Sequence, residues 1–207
     1  MSQSAVQSEP CFTWADYQTW NDDRRWEIID GVAYDMSPSP TSRHQRIARE
    51  IGAALYAYFK GKRCQMLGAP MDVKLSNNDV VQPDLLVICD PSQIKPTHIE
   101  GPPALVVEIL SGYTHEQDRV RKMRLYAKAG VKEYWIVTPF PPLVEVFVLD
   151  GATYRMHAGY GKNEELAGVT FPDLRIRLAD VFDFPLEPEE EAIRRGKESP
   201  GPAYRAG

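Results

Sequence analysis

The sequence predicts an α/β (α+β) fold, a mixed β-sheet flanked by helices, and three observations carry that expectation. Asp84-Leu-Leu-Val-Ile-Cys89 and Ala104-Leu-Val-Val-Glu-Ile-Leu110 are near-continuous apolar runs of strand length, as expected of central strands covered on both faces. The residues from Pro40 to Phe59 place Ile47, Ile51, Leu55 and Tyr58 on one stripe, which predicts an amphipathic helix. Between Leu110 and the strand-like Glu133–Thr138 lies a helical segment, and strand, helix, strand implies a crossover and hence a sheet with parallel as well as antiparallel pairs.

The other elements follow in chain order. Phe12 to Trp20 carries aromatics at helical spacing behind Thr13, a candidate helix cap. Arg25–Asp30 and Val32–Met36 flank the Asp30-Gly31 turn signal and predict a hairpin. Short strand-like runs around Cys64–Leu67 and Met71–Leu75 precede the turn Ser76-Asn-Asn-Asp79, and a Pro-containing loop from Pro91 to Pro103 joins the two apolar runs. Thr114-His-Glu-Gln117 has the pattern of a capping box, and Gly130 supplies a stop after Ala129. Glu133–Thr138 and Leu143–Leu149 read as strands joined by the turn Pro139–Pro142. Tyr154–Leu174 alternates weakly, as peripheral strands do, and Leu178–Phe182 suits one closing helical turn. From Pro185 the chain is polar and rich in Glu and Pro, so a frayed helix and a disordered tail are expected over 185–207, with a flexible start over 1–11 and one domain over 12–184.

With 207 residues, 43% of them hydrophobic and 26% charged, the chain can bury a core, and its 17 prolines and 14 glycines exclude collagen or wholesale disorder. No apolar run approaches the roughly 18–20 residues that span a bilayer, and residues 1–10 lack the charged and apolar regions of a signal peptide. A cytoplasmic protein with no membrane association is expected. Cys11, Cys64 and Cys89 are an odd, widely separated set, which fits reduced thiols better than a disulfide framework. No C-x-x-C or H-x-x-x-H pair suggests zinc. The net charge of −5 argues against coating nucleic acid by bulk charge, yet it conceals two basic segments. Residues 43–63 carry a balance of +5 and residues 114–132 a balance of +4, leaving −14 on the rest. They are either two solvated helix faces or, if they share one cleft, a phosphate-binding surface.

Glu108 is the only charged side chain in its apolar run, so it needs a cation, a metal or a proton to be tolerated there. Asp84 opens the neighbouring run directly after Pro83. If the two strands are neighbours, the carboxylates can jointly hold a hard divalent cation; otherwise Asp84 makes a local turn bond and Glu108 a buried salt bridge. Helical spacing places Asp118, Lys122, Leu125 and Tyr126 on one face, which directs the Lys122 ammonium either to the strand ends or to a simple ion pair with Asp118. Glu27 alternates onto the face of Ile29, near the metal site or at a solvated edge. His44 and His115, near helix starts, read as cap or surface residues, and Tyr134-Trp135 as core.

These strings resemble a known family. Arg25-Trp-Glu-Ile-Ile-Asp-Gly31, Met36-Ser-Pro-Ser-Pro40 with His44-Gln45, Gln82-Pro-Asp84, Val106-Val-Glu-Ile-Leu-Ser111, and Asp118 with Lys122 through Leu125 to Trp135 are together similar to the Uma-type restriction endonucleases of the PD-(D/E)XK nuclease superfamily, over about residues 12–184. The resemblance implies a restriction-endonuclease-like fold. It makes Pro83-Asp84 the P-D element, Asp84 and Glu108 ligands of Mg²⁺ (or Mn²⁺), and Lys122 the catalytic lysine, since Leu110 occupies the usual lysine position. Glu27 matches an acidic position that faces the same site. The implied activity is metal-dependent hydrolysis of DNA phosphodiester bonds, with DNA as partner and a homodimer as a candidate assembly. The alternatives are a nonenzymatic protein of the same fold, binding DNA or a protein partner around a structural ion network, and a Mg²⁺-dependent phosphoesterase acting on small substrates.

Overall fold

The computed structural model describes residues 11–36, 39–110, 115–186 and 190–191, and the side chains of 115–118 fall outside that description. The Thr114–Gln117 capping box, the roles of His115 and Asp118, the start over 1–10 and most of the tail over 185–207 lie outside the described residues.

Helix α1 (Trp14–Tyr17) is capped by Thr13, whose Oγ1 accepts from Asp16 N while Asp16 accepts from Thr13 N in return. Asp30 and Gly31 take φ of 49° and 78°, the left-handed pair that a two-residue hairpin turn requires, and join β1 (Trp26–Ile29) to β2 (Val32–Asp35). Helix α2 (Ser42–Phe59) starts on Thr41, which accepts from His44 N. Strands β3 (Gln65–Gly68), β4 (Val73–Ser76), β5 (Asp79–Val81) and β6 (Leu85–Ile88) follow. Asp79, expected only as a turn residue, begins β5, because Asn77 and Asn78 suffice to reverse the chain. The loop from Pro91 to Pro103 contains a 3₁₀ turn (Pro91–Gln93) and the two-residue strand β7 (Ile99–Glu100), too short to leave a periodic signal.

Strand β8 (Leu105–Ile109), helix α3 (His115–Ala129) and strand β9 (Glu133–Thr138) make the crossover, with β8 and β9 parallel. Gly130, at φ 90°, closes α3 as its N–H donates to Tyr126 O. Then come β10 (Leu143–Asp150), β11 (Thr153–Gly161), β12 (Glu165–Ala167), β13 (Arg175–Arg177) and α4 (Leu178–Val181).

A six-stranded mixed sheet runs β11-β10-β9-β8-β6-β3, a second sheet of five strands runs β2-β1-β5-β4-β7, and β12 pairs with β13. Alternation along the central strands makes the layers. Leu85, Val87, Leu105, Val107 and Trp135 pack against Ile47, Ile51 and Leu55 of α2, whereas Leu86, Ile88, Val106 and Ile136 face Leu125 and Tyr126 of α3 together with Ile29, Val73 and Val81 of the smaller sheet. Both faces are covered, which is why β6 and β8 read as unbroken apolar runs. No helix among the described residues is long and apolar enough to cross a membrane.

One expectation is corrected outright: Cys64 and Cys89 form a disulfide. Strands β3 and β6 are antiparallel with Gln65 opposite Ile88, so the next residues outward, 25 apart in sequence, face each other. Spacing along the chain carries no trace of that register. Cys11 alone is free, and cysteine usage no longer supports a reducing compartment.

Candidate active site

Strands β6 and β8 are antiparallel neighbours with Leu85 opposite Val107, which brings Asp84, one residue outside β6, level with Glu108. The adjacency that a shared metal site requires is therefore present. Glu108 shares the face of Val106, the side covered by α3. Lys122 and Tyr126, one helical turn apart on α3, both reach it: Lys122 Nζ donates to Glu108 Oε1 at 3.1 Å and Tyr126 Oη donates to the same oxygen at 2.6 Å. Glu27 comes from the hairpin of the smaller sheet, and its Oε1 accepts from Lys122 Nζ at 3.1 Å and from Gln82 N at 3.0 Å. Glu27, Glu108 and Lys122 are all buried, at 4%, 8% and 6% exposure. Glu27 is thus a member of the cluster and not a solvated edge residue, and Lys122 faces the strand ends as the alternative reading of its helix required.

Asp84 makes no local turn bond. Its Oδ2 accepts from Ile109 N at 2.7 Å, taking the place of the strand partner that β6 no longer supplies, and lies 3.0 Å from His44 Nε2. His44, expected as a cap or surface residue, is buried in the first turn of α2, and the cap is Thr41 instead. Reasoning from the sequence also left Tyr126 in the core without a role. Its signal was its i,i+4 relation to Lys122; His44, 40 residues from Asp84, had none beyond its place in the His44-Gln45 string of the resemblance. Gln82 adds a supporting network: its side chain accepts from Arg25 Nε and donates to Tyr17 Oη and Asp72 Oδ1.

Three carboxylates share the site with one ammonium that bonds two of them, and the electrostatics record the excess. Burial pushes the Glu108 carboxyl up to about 8, with the Asp84 and Glu27 charges pushing the same way against the opposing pull of Lys122 and Tyr126. Burial and the Glu108 charge hold the Tyr126 phenol well above its ordinary value. Asp84 Oδ1, Glu108 Oε2 and Glu27 Oε2 accept no hydrogen bond from a described residue. Among the described residues no three His, Cys, Asp or Glu side chains form a ready-made metal cage. The donors present suit Mg²⁺ nonetheless, because that ion is usually held by one or two carboxylates and keeps several waters. An all-oxygen set with surplus negative charge and partly accessible Asp84 and Glu108 side chains, 17% and 11% exposed, fits a hard divalent cation.

Several cations of the two basic segments are tied to the protein's own surface. Arg43 contacts Glu190, Arg119 binds Glu145 at 2.6 Å, and Lys128 binds Asp30 at 2.7 Å. Arg121 stacks 4.1 Å from the Tyr34 ring centre, whereas Arg46 and Arg124 are exposed.

The mixed sheet flanked by helices, with its β8–α3–β9 crossover, defines an α+β fold. The same fold is found in a crystal structure described as "a putative nuclease belonging to DUF820" from Anabaena variabilis ATCC 29413, with a TM-score of 0.67, 17% identity and coverage of 83% of this chain and 97% of that one. The chain belongs to the Uma2 family, described as "Putative restriction endonuclease", whose model matches residues 14–179. It is also 31% identical over 127 residues to the uncharacterized protein slr1290 of Synechocystis sp. (strain ATCC 27184 / PCC 6803 / Kazusa), a match spanning 59% of this chain and 66% of that protein.

Proposed function

We propose that the protein is a Mg²⁺- or Mn²⁺-dependent endonuclease that hydrolyses phosphodiester bonds in DNA, with residues 12–184 as its catalytic unit. Asp84 and Glu108 would hold the cation, and Lys122 and Glu27 complete the catalytic set. The observation that carries this reading is the convergence of Glu27 and Glu108 on the Lys122 ammonium, with Asp84 level with Glu108 on the neighbouring strand. A purely structural ion pair needs one carboxylate per cation; the surplus here, which a proton on Glu108 offsets in the metal-free protein, would be offset by a divalent cation when one is bound. When bound, a divalent cation polarises the scissile phosphodiester and acidifies a water for in-line attack.

The chain's own residues supply the rest. The Lys122 ammonium orients the attacking water and stabilises the negative charge that develops on the phosphoryl oxygens. Glu27 anchors that ammonium together with Glu108, so the lysine reaches the site from α3 without the usual strand position, where Leu110 stands. Tyr126 fixes Glu108 Oε1, which leaves Oε2 as the oxygen turned to a ligand.

The test is cleavage of plasmid and oligonucleotide DNA with Mg²⁺ or Mn²⁺ by the wild type, E108A and K122A. Metal-dependent cutting by the wild type that both substitutions abolish is expected. Cutting that persists in both, or is absent from all three, overturns the mechanism. A nonenzymatic reading has one observation in its favour, since Lys122 already bonds both Glu27 and Glu108 and closes an ion network by itself. It predicts DNA or protein binding that survives E108A without any cutting.

A further inference from the structure

We infer that His44 is a positioning residue that locks the Asp84 carboxylate so that Oδ1 is its metal-binding oxygen; the inference rests on the nuclease reading above. Two donors converge on the other oxygen, Oδ2: Ile109 N at 2.7 Å and His44 Nε2 at 3.0 Å. One of them is backbone in β8 and the other is a ring on α2, so the carboxylate is gripped from two elements. The backbone donor alone leaves the plane of the carboxylate free to turn about the Cβ–Cγ bond, because a single hydrogen bond holds one oxygen without fixing where the other points. The imidazole removes that freedom.

The state of the ring follows from its surroundings. His44 is 4% exposed, and its Nδ1 is the buried side-chain nitrogen or oxygen that finds no hydrogen-bond partner among the described residues. With a carboxylate at Nε2 and no partner at Nδ1 among the described residues, the hydrogen-bond geometry assigns the proton to Nε2, making the ring a fixed donor to Asp84. A buried nitrogen without a partner is unfavourable, so the contact at Nε2 is what the ring contributes. Ile47 and Ile51 on the same helix face pack into the sheet and hold α2, and with it the ring, in register with Asp84. This is the arrangement by which an outer hydrogen bond orients a metal ligand, here with a carboxylate as ligand and histidine as its support.

Calorimetric titration of Mn²⁺ into the full chain tests this without any cleavage readout. The wild type is compared with E108Q, H44A, H44Q and H44N, each also followed by thermal melting. Glutamine places an amide N–H where Nε2 stands, whereas asparagine places it near Nδ1, out of reach of Asp84. H44Q is expected to keep Mn²⁺ affinity within about threefold, and H44A and H44N to weaken it about tenfold or more. If H44A does not fold, the glutamine and asparagine pair decides. Equal affinities for H44Q and H44N, or a lower melting temperature in H44A with unchanged Mn²⁺ affinity, overturn the inference. Binding that E108Q abolishes and every His44 substitution leaves intact overturns the positioning role alone, while a wild type that binds no Mn²⁺ overturns the nuclease reading and this role together.

Discussion

Glu108 and Glu133 lie at opposite ends of the same pair of parallel strands, and both are buried. Glu133 begins β9, level with Leu105. Its oxygens accept from Trp135 Nε1 on the same strand at 2.7 Å and from the backbone of Val169 and Thr170 at 3.1 and 2.6 Å, all neutral donors, the last two brought to it by the turn after β12. Glu108 lies near the carboxyl end of β8, gripped through one oxygen by an ammonium and a phenol, with two further carboxylates nearby. The first is a saturated acceptor that ties a loop to the sheet. The second is an unsaturated one in a site with surplus negative charge. Burial therefore does not by itself single out the proposed metal ligand; what distinguishes Glu108 from Glu133 is the charge of its partners and the oxygen left over.

The contrast can be broken most sharply by the paired substitutions E108Q and E133Q. E108Q should lower cleavage on the order of a thousandfold, about 4 kcal/mol of transition-state stabilisation, while E133Q leaves the rate within about threefold. Equal losses in a plasmid assay would mean that both glutamates merely hold the fold. Stability should show the opposite ranking. E133A strands the Trp135, Val169 and Thr170 donors and should cost about 3–5 kcal/mol in urea unfolding, whereas E108Q, by relieving repulsion, should cost nothing or stabilise.

Removing the cation instead of the anion sharpens the comparison further. K122M leaves Glu27 and Glu108 facing each other and should cost about 3 kcal/mol at neutral pH, with the loss shrinking as acid protonates the carboxyls. The smallest effect is the slope of wild-type stability with pH in metal-free buffer. Glu108 retains its proton in the folded state up to about 8, whereas the unfolded chain releases it near 4.5. The folded state thus binds more protons across that window, so this group's contribution to stability falls as pH rises through it and levels off above. Denaturant melts at several pH values should show that slope in the wild type and its loss in E108Q.

Much of the fold was legible because its signals are local. The Asp30-Gly31 turn, the stripe of α2, the apolar runs of β6 and β8 and the Gly130 stop each depend on a few consecutive residues, and each stands where the sequence places it. Short or irregular elements were not. Strands β5 and β7 are too brief for periodicity and exist because neighbouring strands accept them. The acidic pair was half legible: a lone Glu inside an apolar run announces that something must balance it, yet Glu133 announces nothing, since its burial comes from a turn more than 30 residues further along the chain.

By itself, then, the sequence determined the layered α+β fold, the family, and the residue types at the centre of the site, since hydrophobic periodicity and an isolated charge are properties of a single segment. Only the tertiary structure decided that Glu27 joins Lys122, that His44 grips Asp84, that Tyr126 takes one oxygen of Glu108, and that Cys64 meets Cys89. Those contacts span 18 to 95 residues of chain and depend on strand register and helix placement, which cooperative packing of the whole sheet sets and no local pattern encodes.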